Sequence, residues 1–470
     1  YISTEDRKKD VPIKYVKIIN ANAFQSCSNL TEIILPNSIT TIDIGAFYGC
    51  NNLESINIPN NVTYIGSNAF YNCKISEVTL PDTISTIGYQ AYLSCYNLTT
   101  INIPASVTSI ESAAFQGCSN LTTFNVDPNN QYYSSSDDKR ILYNKDKTIL
   151  LSYPTAEGNI SLPAGIEKIE DGAFSSCRNL IQIELPNSIT YIGNSAFSEC
   201  ISLTEINIPF GVTYIGDSAF SYCYALQNIE LPSNVTSIGA YAFYYCSNLM
   251  NITLPQNLET IGDSAFYGCS SLTNISIPAS VTTIGNHAFM YCTSLIFSIA
   301  ANNEYYSNSD DGSMLLNKDK TILIAYPSAS GDIVISENVT TIGDYAFISC
   351  YNLTSIELPD SVTTIGYQAF DSCNNLKKVT LPKNLTSIES HAFAYCYSLE
   401  NIIIPTKVST ISSYAFFYCD NLQNVIFRDP TTWYYTYNSD YIYGTEIAVT
   451  DEYQNAFYLR NNYDWYWYKE

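Results

Sequence analysis

Apolar and polar positions follow one pattern that recurs through most of the chain. Residues 203–223 give it clearly as LTEINIPFGVTYIGDSAFSYC, or L-x-x-I-x-(I/L)-P-x-x-(V/I)-T-x-I-G-x-x-A-F-x-x-C. The cysteine that ends each copy returns every 23 residues, with one step of 22 and two longer gaps of 59 and 58. Self-similarity at this period predicts a solenoid, in which each repeat is one coil stacked on the previous one.

The positions inside one coil predict its local structure. Residues 203–208 alternate apolar and polar side chains and predict a short strand that ends at Pro209 and pairs in parallel with its neighbours. The apolar pair within 212–215 is compatible with a second short strand. Gly216 permits a bend, and the Ala-Phe pair at 219–220 predicts a turn of α- or 3₁₀-helix. The predicted fold class is therefore an α/β repeat solenoid, curved, with a parallel concave sheet and short convex helical turns.

Two segments, which we call islands, interrupt the pattern and resemble each other. They are residues 126–159 and 300–332, and each holds two apolar runs around Asn-Lys-Asp-Lys. Apolar runs on both sides of a four-residue turn predict a β-hairpin. The islands divide the array into blocks 16–125, 160–299 and 333–427. We expect them to project from one edge or to carry distorted coils.

The composition changes after residue 427, where the predicted solenoid domain of residues 1–427 ends. Residues 428–470 contain all three tryptophans, at 433, 465 and 467, and many tyrosines. Thr450, followed by two acidic residues, predicts a helix that begins in the segment DEYQNAFYLRNN. Because an array needs a cap over its last open coil, we interpret 428–470 as an aromatic C-terminal cap. The alternative is an aromatic platform that binds glycans.

The fifteen cysteines are spaced one per coil, which argues against disulfides and metal sites. Equivalent positions on adjacent coils are about one strand spacing apart, roughly 4.8 Å, with side chains pointing the same way. This leaves Cβ atoms wider apart than the ~3.8 Å of a disulfide. A zinc site needs ligands that converge on one point, and the sequence has no C-x-x-C motif. We therefore predict buried free thiols.

The charge balance is acidic, with 44 acidic and 21 basic residues and a net charge of −23. Such a chain should repel nucleic acids and anionic membranes. Its apolar runs are shorter than the roughly 18–20 residues of a membrane span, so we expect no membrane insertion. The polar start YISTEDRKKD lacks the features of a signal peptide, and we expect a trimmed or mature form.

The repeated segments resemble the BspA-like leucine-rich repeat family, as in ITTIDIGAFYGC (39–50) and VTTIGYQAFDSC (362–373). The resemblance covers roughly residues 16–427. It implies a curved leucine-rich repeat array and a protein, at the cell surface or secreted, that binds other proteins or adheres to host tissue. Hairpin islands of this kind also occur in the family. The resemblance names no ligand.

Residue types that perform catalysis are scarce. His287 and His391 both precede an Ala-Phe pair, where other coils carry Ser, Asn, Tyr or Gln, so we interpret them as surface variation. The sequence offers no Ser/His/Asp or Cys/His set and no phosphate-binding loop. The segments SSSDDKR and SNSDDGS fit either a calcium site or simple turns, and they lack the spacing of an EF-hand. We predict no enzyme, no cofactor and no metal site.

Two surfaces are candidate binding sites. Outward positions on the concave strands form a polar, mildly acidic ladder, which either binds an extended partner or is a solvated sheet face. These positions are Thr204, Glu205, Asn207, Gln227, Asn228, Glu230, Asn251 and Thr253. On the convex side a tyrosine stripe suits either adhesion or half-buried packing. Its members are Tyr222, Tyr245, Tyr291, Tyr395 and Tyr418.

The functional prediction is a non-enzymatic adhesion or protein-binding module at a cell surface or secreted. Its expected partner is a host or neighbouring-cell surface protein with basic patches, bound through residues 204–276. The alternatives are a glycan-binding surface protein that uses the aromatic C-terminal segment, and a passive spacer that displays another domain.

Overall fold

The computed structural model describes residues 16–437, 444–461 and 464–469. Within them, most repeats contribute two short strands. Most equivalent strands of successive coils pair in parallel within each unit. We call the L-x-x-I-x-I strands the first ladder and the T-x-I strands the second ladder. The chain divides into two compact units, one ending at Val235 and the other beginning at Thr236. The predicted parallel-strand solenoid of stacked coils is confirmed, and the suspected second strand of each coil exists.

The first unit contains nine strands of the first ladder and nine of the second. Its first ladder comprises Glu32–Ile33, Ser55–Ile56, Glu77–Val78, Thr100–Ile103, Thr123–Val126, Gly158–Ser161, Leu180–Glu184, Glu205–Ile206 and Asn228–Glu230. Its second ladder comprises Ile18–Ile19, Thr41–Ile42, Tyr64–Ile65, Thr86–Ile87, Ser109–Ile110, Ile149–Ser152, Lys168–Ile169, Tyr191–Ile192 and Tyr214–Ile215.

The second unit repeats this arrangement with eight strands in each ladder. Its first ladder comprises Asn251–Thr253, Asn274–Ile277, Ile296–Ile299, Gly331–Val334, Leu353–Glu357, Lys378–Thr380, Asn401–Ile404 and Asn424–Phe427. Its second ladder comprises Ser237–Ile238, Thr260–Ile261, Thr283–Ile284, Ile322–Ala325, Thr341–Ile342, Thr364–Ile365, Ser387–Ile388 and Thr410–Ile411.

The predicted helical turns are not found, because the Gly-x-x-Ala-Phe-x-x-Cys segments fold as successive β-turns. In one coil the amides of Ala46 and Cys50 donate to carbonyls three residues earlier. The amides of Gly45, Phe47 and Gly49 donate instead to the next coil, at 2.8–2.9 Å. Gly45 and Gly49 have φ of 60° and 69°, and such left-handed residues interrupt a right-handed helix. Amides of these turns therefore tie neighbouring coils together.

The islands, predicted as hairpins that project from one edge or carry distorted coils, contain more than one hairpin. Each is a three-stranded antiparallel meander, and its last strand pairs in parallel with the next coil of the second ladder. The strands of the first island are Tyr133–Ser135, Leu142–Asn144 and Ile149–Ser152. Those of the second are Tyr306–Asn308, Leu315–Asn317 and Ile322–Ala325. The island chain thus returns to the solenoid instead of leaving it as a separate hairpin.

The core of each unit is a column of stacked side chains. Phe47 and Phe70, on successive coils, stack with ring centroids 5.5 Å apart and planes 4° apart. The thiol of Cys73 donates to the carbonyl of Phe47 at 3.3 Å. All fifteen cysteines are free and all except Cys27 are buried, and burial raises the pKa of Cys50 to about 11. Cys27 is exposed because it belongs to the first half coil.

The C-terminal segment contains two strands, a helix and a third strand: Trp433–Thr436, Thr445–Ile447, Glu452–Asn461 and Tyr466–Lys469. The predicted helix is present, and Asp451 caps it by accepting a hydrogen bond from the amide of Gln454 at 2.7 Å. The last strand pairs antiparallel with Thr410–Ile411, the final strand of the second ladder. The segment therefore covers the edge that this ladder would otherwise expose.

Candidate functional site

Six of the predicted binding residues line one groove of the first unit, which we call the acidic groove. The groove has a volume of about 620 Å³ and lies between strands Glu205–Ile206 and Asn228–Glu230. Its polar lining is Thr204, Glu205, Asn207, Gln227, Asn228 and Glu230. Asn251 and Thr253 are exposed on a strand of the second unit and do not line this groove.

The strand period places these side chains outward. Ile206 and Ile229 are buried in the core, and the residues on either side of each point to the opposite face. Glu205 pairs in register with Gln182 of the preceding coil, whose side-chain amide donates to the Glu205 carboxylate at 3.3 Å. Glu230 is exposed beside the buried Ile229. Two carboxylates therefore face solvent from adjacent coils.

Asn207 and Thr204 also have a role in coil stacking that sequence reasoning missed. The Asn207 side chain accepts from the Leu185 amide at 2.8 Å and donates to the Leu185 carbonyl at 2.9 Å. Thr204 donates to the Ile181 carbonyl at 3.0 Å. Asn57 makes the same pair of bonds to Leu35. A recurrent Asn at this strand position is the signal that could have identified this role.

A second polar groove in the first unit was not predicted as a site. It has a volume of about 440 Å³, and its lining includes Glu54, Asn57 and Glu77. Both carboxylates are exposed; Glu77 lies on strand Glu77–Val78, and Glu54 directly precedes strand Ser55–Ile56. The acidic character of the first ladder in this unit thus extends beyond the predicted residues.

The tyrosine stripe is mostly half-buried and packs against neighbouring rings. Tyr245 lies 5.3 Å from Tyr267, centroid to centroid, and Tyr291 forms a hydrogen bond of 2.9 Å with the hydroxyl of Tyr351. Tyr395 and Tyr418 stack at 5.3 Å, and Tyr418 is exposed. All five stripe residues have φ between 54° and 61°. The stripe therefore belongs to the turns that join the coils, and packing accounts for most of it.

The two histidines are packed against aromatic rings. His287 lies 3.9 Å from Tyr345, and His391 stacks on Tyr414 at 4.9 Å, centroid to centroid. Burial lowers the pKa of both imidazoles. His391 also shares a hydrogen bond of 2.8 Å with the hydroxyl of Ser390. Both rings therefore take part in the packing of the turns.

The Asp-Asp segments form turns. Asp138 accepts from the Ser136 hydroxyl at 2.5 Å and from the Arg140 amide at 3.2 Å. Asp311 accepts from both Ser309 and Ser313. These bonds lower the pKa of each carboxyl, and the largest effect comes from Ser136 on Asp138 and from Ser309 on Asp311. Within the described ranges, no three His, Cys, Asp or Glu side chains gather as a metal site would require.

The aromatic C-terminal segment directs two of its three tryptophans inward. Trp433 and Trp467 are each 1% exposed, and Trp433 packs 4.9 Å from Phe427 of the last first-ladder strand. Trp465 is partly buried and stacks on Tyr435 at 3.7 Å. Two of the three tryptophans therefore fill the core, so the alternative of an aromatic glycan platform would have to use other aromatic side chains of this segment. Separately, none of the described helices has the length and apolar character needed to cross a membrane.

The comparison with protein families decides the identity of the repeats. The family described as BspA type leucine rich repeat region matches residues 17–136, 158–304 and 326–439, in six copies. The chain belongs to this family. No curated protein matches the chain in sequence.

Several solved structures are similar to this chain. The crystal structure of the pneumococcal vaccine antigen PcpA is 23% identical, with a TM-score of 0.54, and the match covers 63% of this chain and 82% of that one. A leucine-rich cell surface protein from Faecalibacterium prausnitzii is 28% identical over 74% and 84% of the two chains, with a TM-score of 0.45. A leucine-rich repeat protein from Bacteroides ovatus is 27% identical over 87% and 82%, with a TM-score of 0.38. The first of these supports the fold.

Proposed function

We propose that this BspA-type repeat protein is a non-enzymatic protein-binding module, at a cell surface or secreted, that adheres to a protein of a host or neighbouring cell. The observation that carries the proposal is the acidic groove. Its side chains stand on hydrogen-bonded strands whose inward residues are buried, so little conformational freedom is lost on contact. Glu205 and Glu230 favour a partner with basic patches, and salt should weaken the attraction.

An adhesion assay with charge-reversed protein tests this function. Beads coated with the protein are applied to cultured epithelial cells, and Glu205→Lys combined with Glu230→Lys should lower the number of bound beads on the order of tenfold. The melting temperature should not change, because both carboxylates are exposed. Adhesion should also fall as the salt concentration rises.

The matched control reverses two exposed acidic residues elsewhere, Asp146→Lys with Glu337→Lys, and should adhere like the unmodified protein. Pretreating the cells with a protease should abolish adhesion, whereas glycosidase should not. Sensitivity to glycosidase alone would favour the glycan-binding alternative. Adhesion that the acidic-groove variant retains in full would contradict the proposed site, and no adhesion at all would favour the spacer.

A further inference from the structure

A groove of opposite charge lies on the first ladder of the second unit, and we call it the basic groove. It has a volume of about 750 Å³ and spans strands Lys378–Thr380 and Asn401–Ile404. Four of its lining residues are cationic: Lys378, Lys383, Lys407 and Arg428. Among the described residues that line it, none is acidic. The groove is thus positive in a chain whose net charge is −23.

The concentration of cations is unusual for this chain. The sequence has only 21 basic residues, and none lies between positions 179 and 317. The four groove cations come from two successive coils and the segment after the last first-ladder strand, and stacking brings them together. Clustered positive charge in an acidic protein creates a local field that attracts anionic groups.

Two of the cations form no hydrogen bond or ion pair that would compete with a ligand, although Lys378 also interacts electrostatically with the Asp332 carboxylate two coils earlier. The side chains of Lys378 and Arg428 form no hydrogen bond or ion pair with any described residue, and both are exposed. Lys407 donates to the Asn384 side chain at 2.7 Å. Lys383 forms an exposed ion pair of 2.7 Å with Asp360, at the border of the groove. Such exposed contacts contribute little and are readily exchanged for a ligand carboxylate.

The groove also offers apolar surface between its charges. Ile403 is 41% exposed at an outward strand position and pairs in register with the partly buried Ile426 of the next coil. Leu381 and Pro405 line the same groove. The corresponding outward residue in the acidic groove is Asn207, so the two grooves differ in polarity as well as in charge.

We propose that the basic groove binds an extended acidic peptide segment that carries apolar side chains between its carboxylates. Carboxylates would pair with Lys378 and Arg428, while an apolar side chain would cover Ile403. A sulfated glycan or a nucleic acid would satisfy the cations but leave Ile403 exposed to water, which favours a polypeptide. The proposal does not depend on the acidic groove, because it uses other residues and a partner of opposite charge.

Fluorescence anisotropy with a labelled peptide of repeating Asp-Leu-Glu-Thr tests the proposal. The full chain should bind this peptide, and the affinity should fall as salt increases. Lys407→Glu with Arg428→Glu should weaken binding on the order of tenfold or more. The matched control, Lys74→Glu with Lys147→Glu, reverses two other exposed lysines and should leave the affinity unchanged.

The apolar contribution has its own matched pair of variants. Ile403→Asn should weaken binding of the peptide several-fold. Ile34→Asn, at the same repeat position of an early coil and 78% exposed, should have no effect. A peptide in which Ser replaces every Leu should bind the unmodified protein weakly and be insensitive to Ile403→Asn. This peptide series keeps the test valid even if a protein variant folds poorly.

Several outcomes would overturn the proposal. Failure of the unmodified protein to bind the peptide would do so directly. If heparin bound with the same affinity as the peptide, and Ile403→Asn changed neither affinity, the groove would be a general polyanion site. Self-association of the protein in sedimentation experiments, lost in Lys407→Glu with Arg428→Glu, would identify a second copy of the chain as the occupant.

Discussion

At the scale of single residues, two positions in each coil adopt a left-handed backbone. They precede the Ala and the Cys of the turn segment, and non-glycine residues such as Ser218 and Tyr222 occupy them with φ of 55° and 60°. This conformation costs roughly 1–2 kcal/mol for a residue with a side chain. Hydrogen bonds between coils offset this cost. Glu199 occupies the position of Tyr222 in the preceding coil, and its amide donates to the Ser221 carbonyl at 2.8 Å. The turns therefore hold strained residues because stacking fixes their amides.

Tyr92 is an exception within the aromatic column. Its ring stacks between Phe70 and Phe115, at 5.2 and 5.7 Å, and the residue is fully buried. Its hydroxyl has no hydrogen-bond partner among the residues that the structure describes. Burial raises the pKa of this phenol well above its ordinary value. A buried, unpaired hydroxyl is destabilising.

We therefore expect Tyr92→Phe to raise the free energy of unfolding by about 1–3 kcal/mol, because it removes the unpaired hydroxyl and leaves the ring stack intact. Urea unfolding followed by circular dichroism measures the change. Phe70→Tyr adds a hydroxyl to the same column and should lower the free energy of unfolding. An unchanged or lower stability of Tyr92→Phe would show that this hydroxyl is satisfied in solution.

At the scale of elements, the islands close edges of the solenoid. Asn130 is fully buried, donates to the carbonyls of Pro104 and Val107 and accepts from the amides of Tyr132 and Tyr133. Asn303 makes the equivalent four bonds in the second island. The hydroxyls of Tyr133 and Tyr306 accept from the amides of Ile110 and Ile284, at 2.6 and 3.0 Å. Side chains of the islands therefore satisfy amides at the end of a second-ladder strand.

A partly buried ion pair joins the beginning and the end of the C-terminal segment. Lys469 and Asp429 are 2.7 Å apart, and their side chains are 12% and 29% exposed. Hydrogen bonds from Lys469, which has the largest effect, and from Thr431 lower the pKa of Asp429 from 3.8 to about 2. A carboxyl with a lowered pKa stabilises the fold above its ordinary pKa, and this contribution is lost as pH falls through the folded-state value.

We expect Asp429→Asn to lower the melting temperature at neutral pH, because it leaves the ammonium of Lys469 without its carboxylate. The difference from the unmodified protein should shrink between about pH 4 and pH 2 as Asp429 becomes protonated. Thermal unfolding followed by tryptophan fluorescence, measured across this range, checks the prediction. A difference that is independent of pH would mean that the ion pair does not carry the effect.

At the scale of the whole molecule, the last coil depends on the segment that covers it. Trp467 and Leu459 join the same hydrophobic core as Phe427. The buried Asn455 donates to the Val425 carbonyl at 3.0 Å, and Arg460 donates to backbone carbonyls of the last coil. Without these contacts, the final strands of both ladders would be open, and open edges invite pairing between chains.

Removal of residues 428–470 should therefore cause association and lower the melting temperature. Size-exclusion chromatography with light scattering measures the mass in solution, and the full chain is the reference. The exposed strands Thr410–Ile411 and Asn424–Phe427 would offer both backbone groups and apolar side chains to a second molecule. A truncated protein with the same oligomeric state and melting temperature as the full chain would contradict the cap interpretation.

The sequence by itself determined the features that repeat along the chain. The 23-residue spacing identifies the coils, the alternation around Ile206 predicts the strand, and the template Phe and Cys positions predict the core. The acidic residues around position 451 predict the helix Glu452–Asn461. These features follow from local periodicity and helix capping, which depend on residues that are close together in the sequence.

Only the tertiary structure decided what depends on contacts between coils. The turn segments look helical in sequence, but hydrogen bonds to the next coil make them β-turns. Asn207 is predicted from the sequence as a binding residue, and only the structure shows that it also bonds to Leu185 of the preceding coil. Lys378 and Arg428 are fifty residues apart in sequence and share one groove. Such partners lie one or more full repeats away, and stacking brings them together, so no local pattern encodes them.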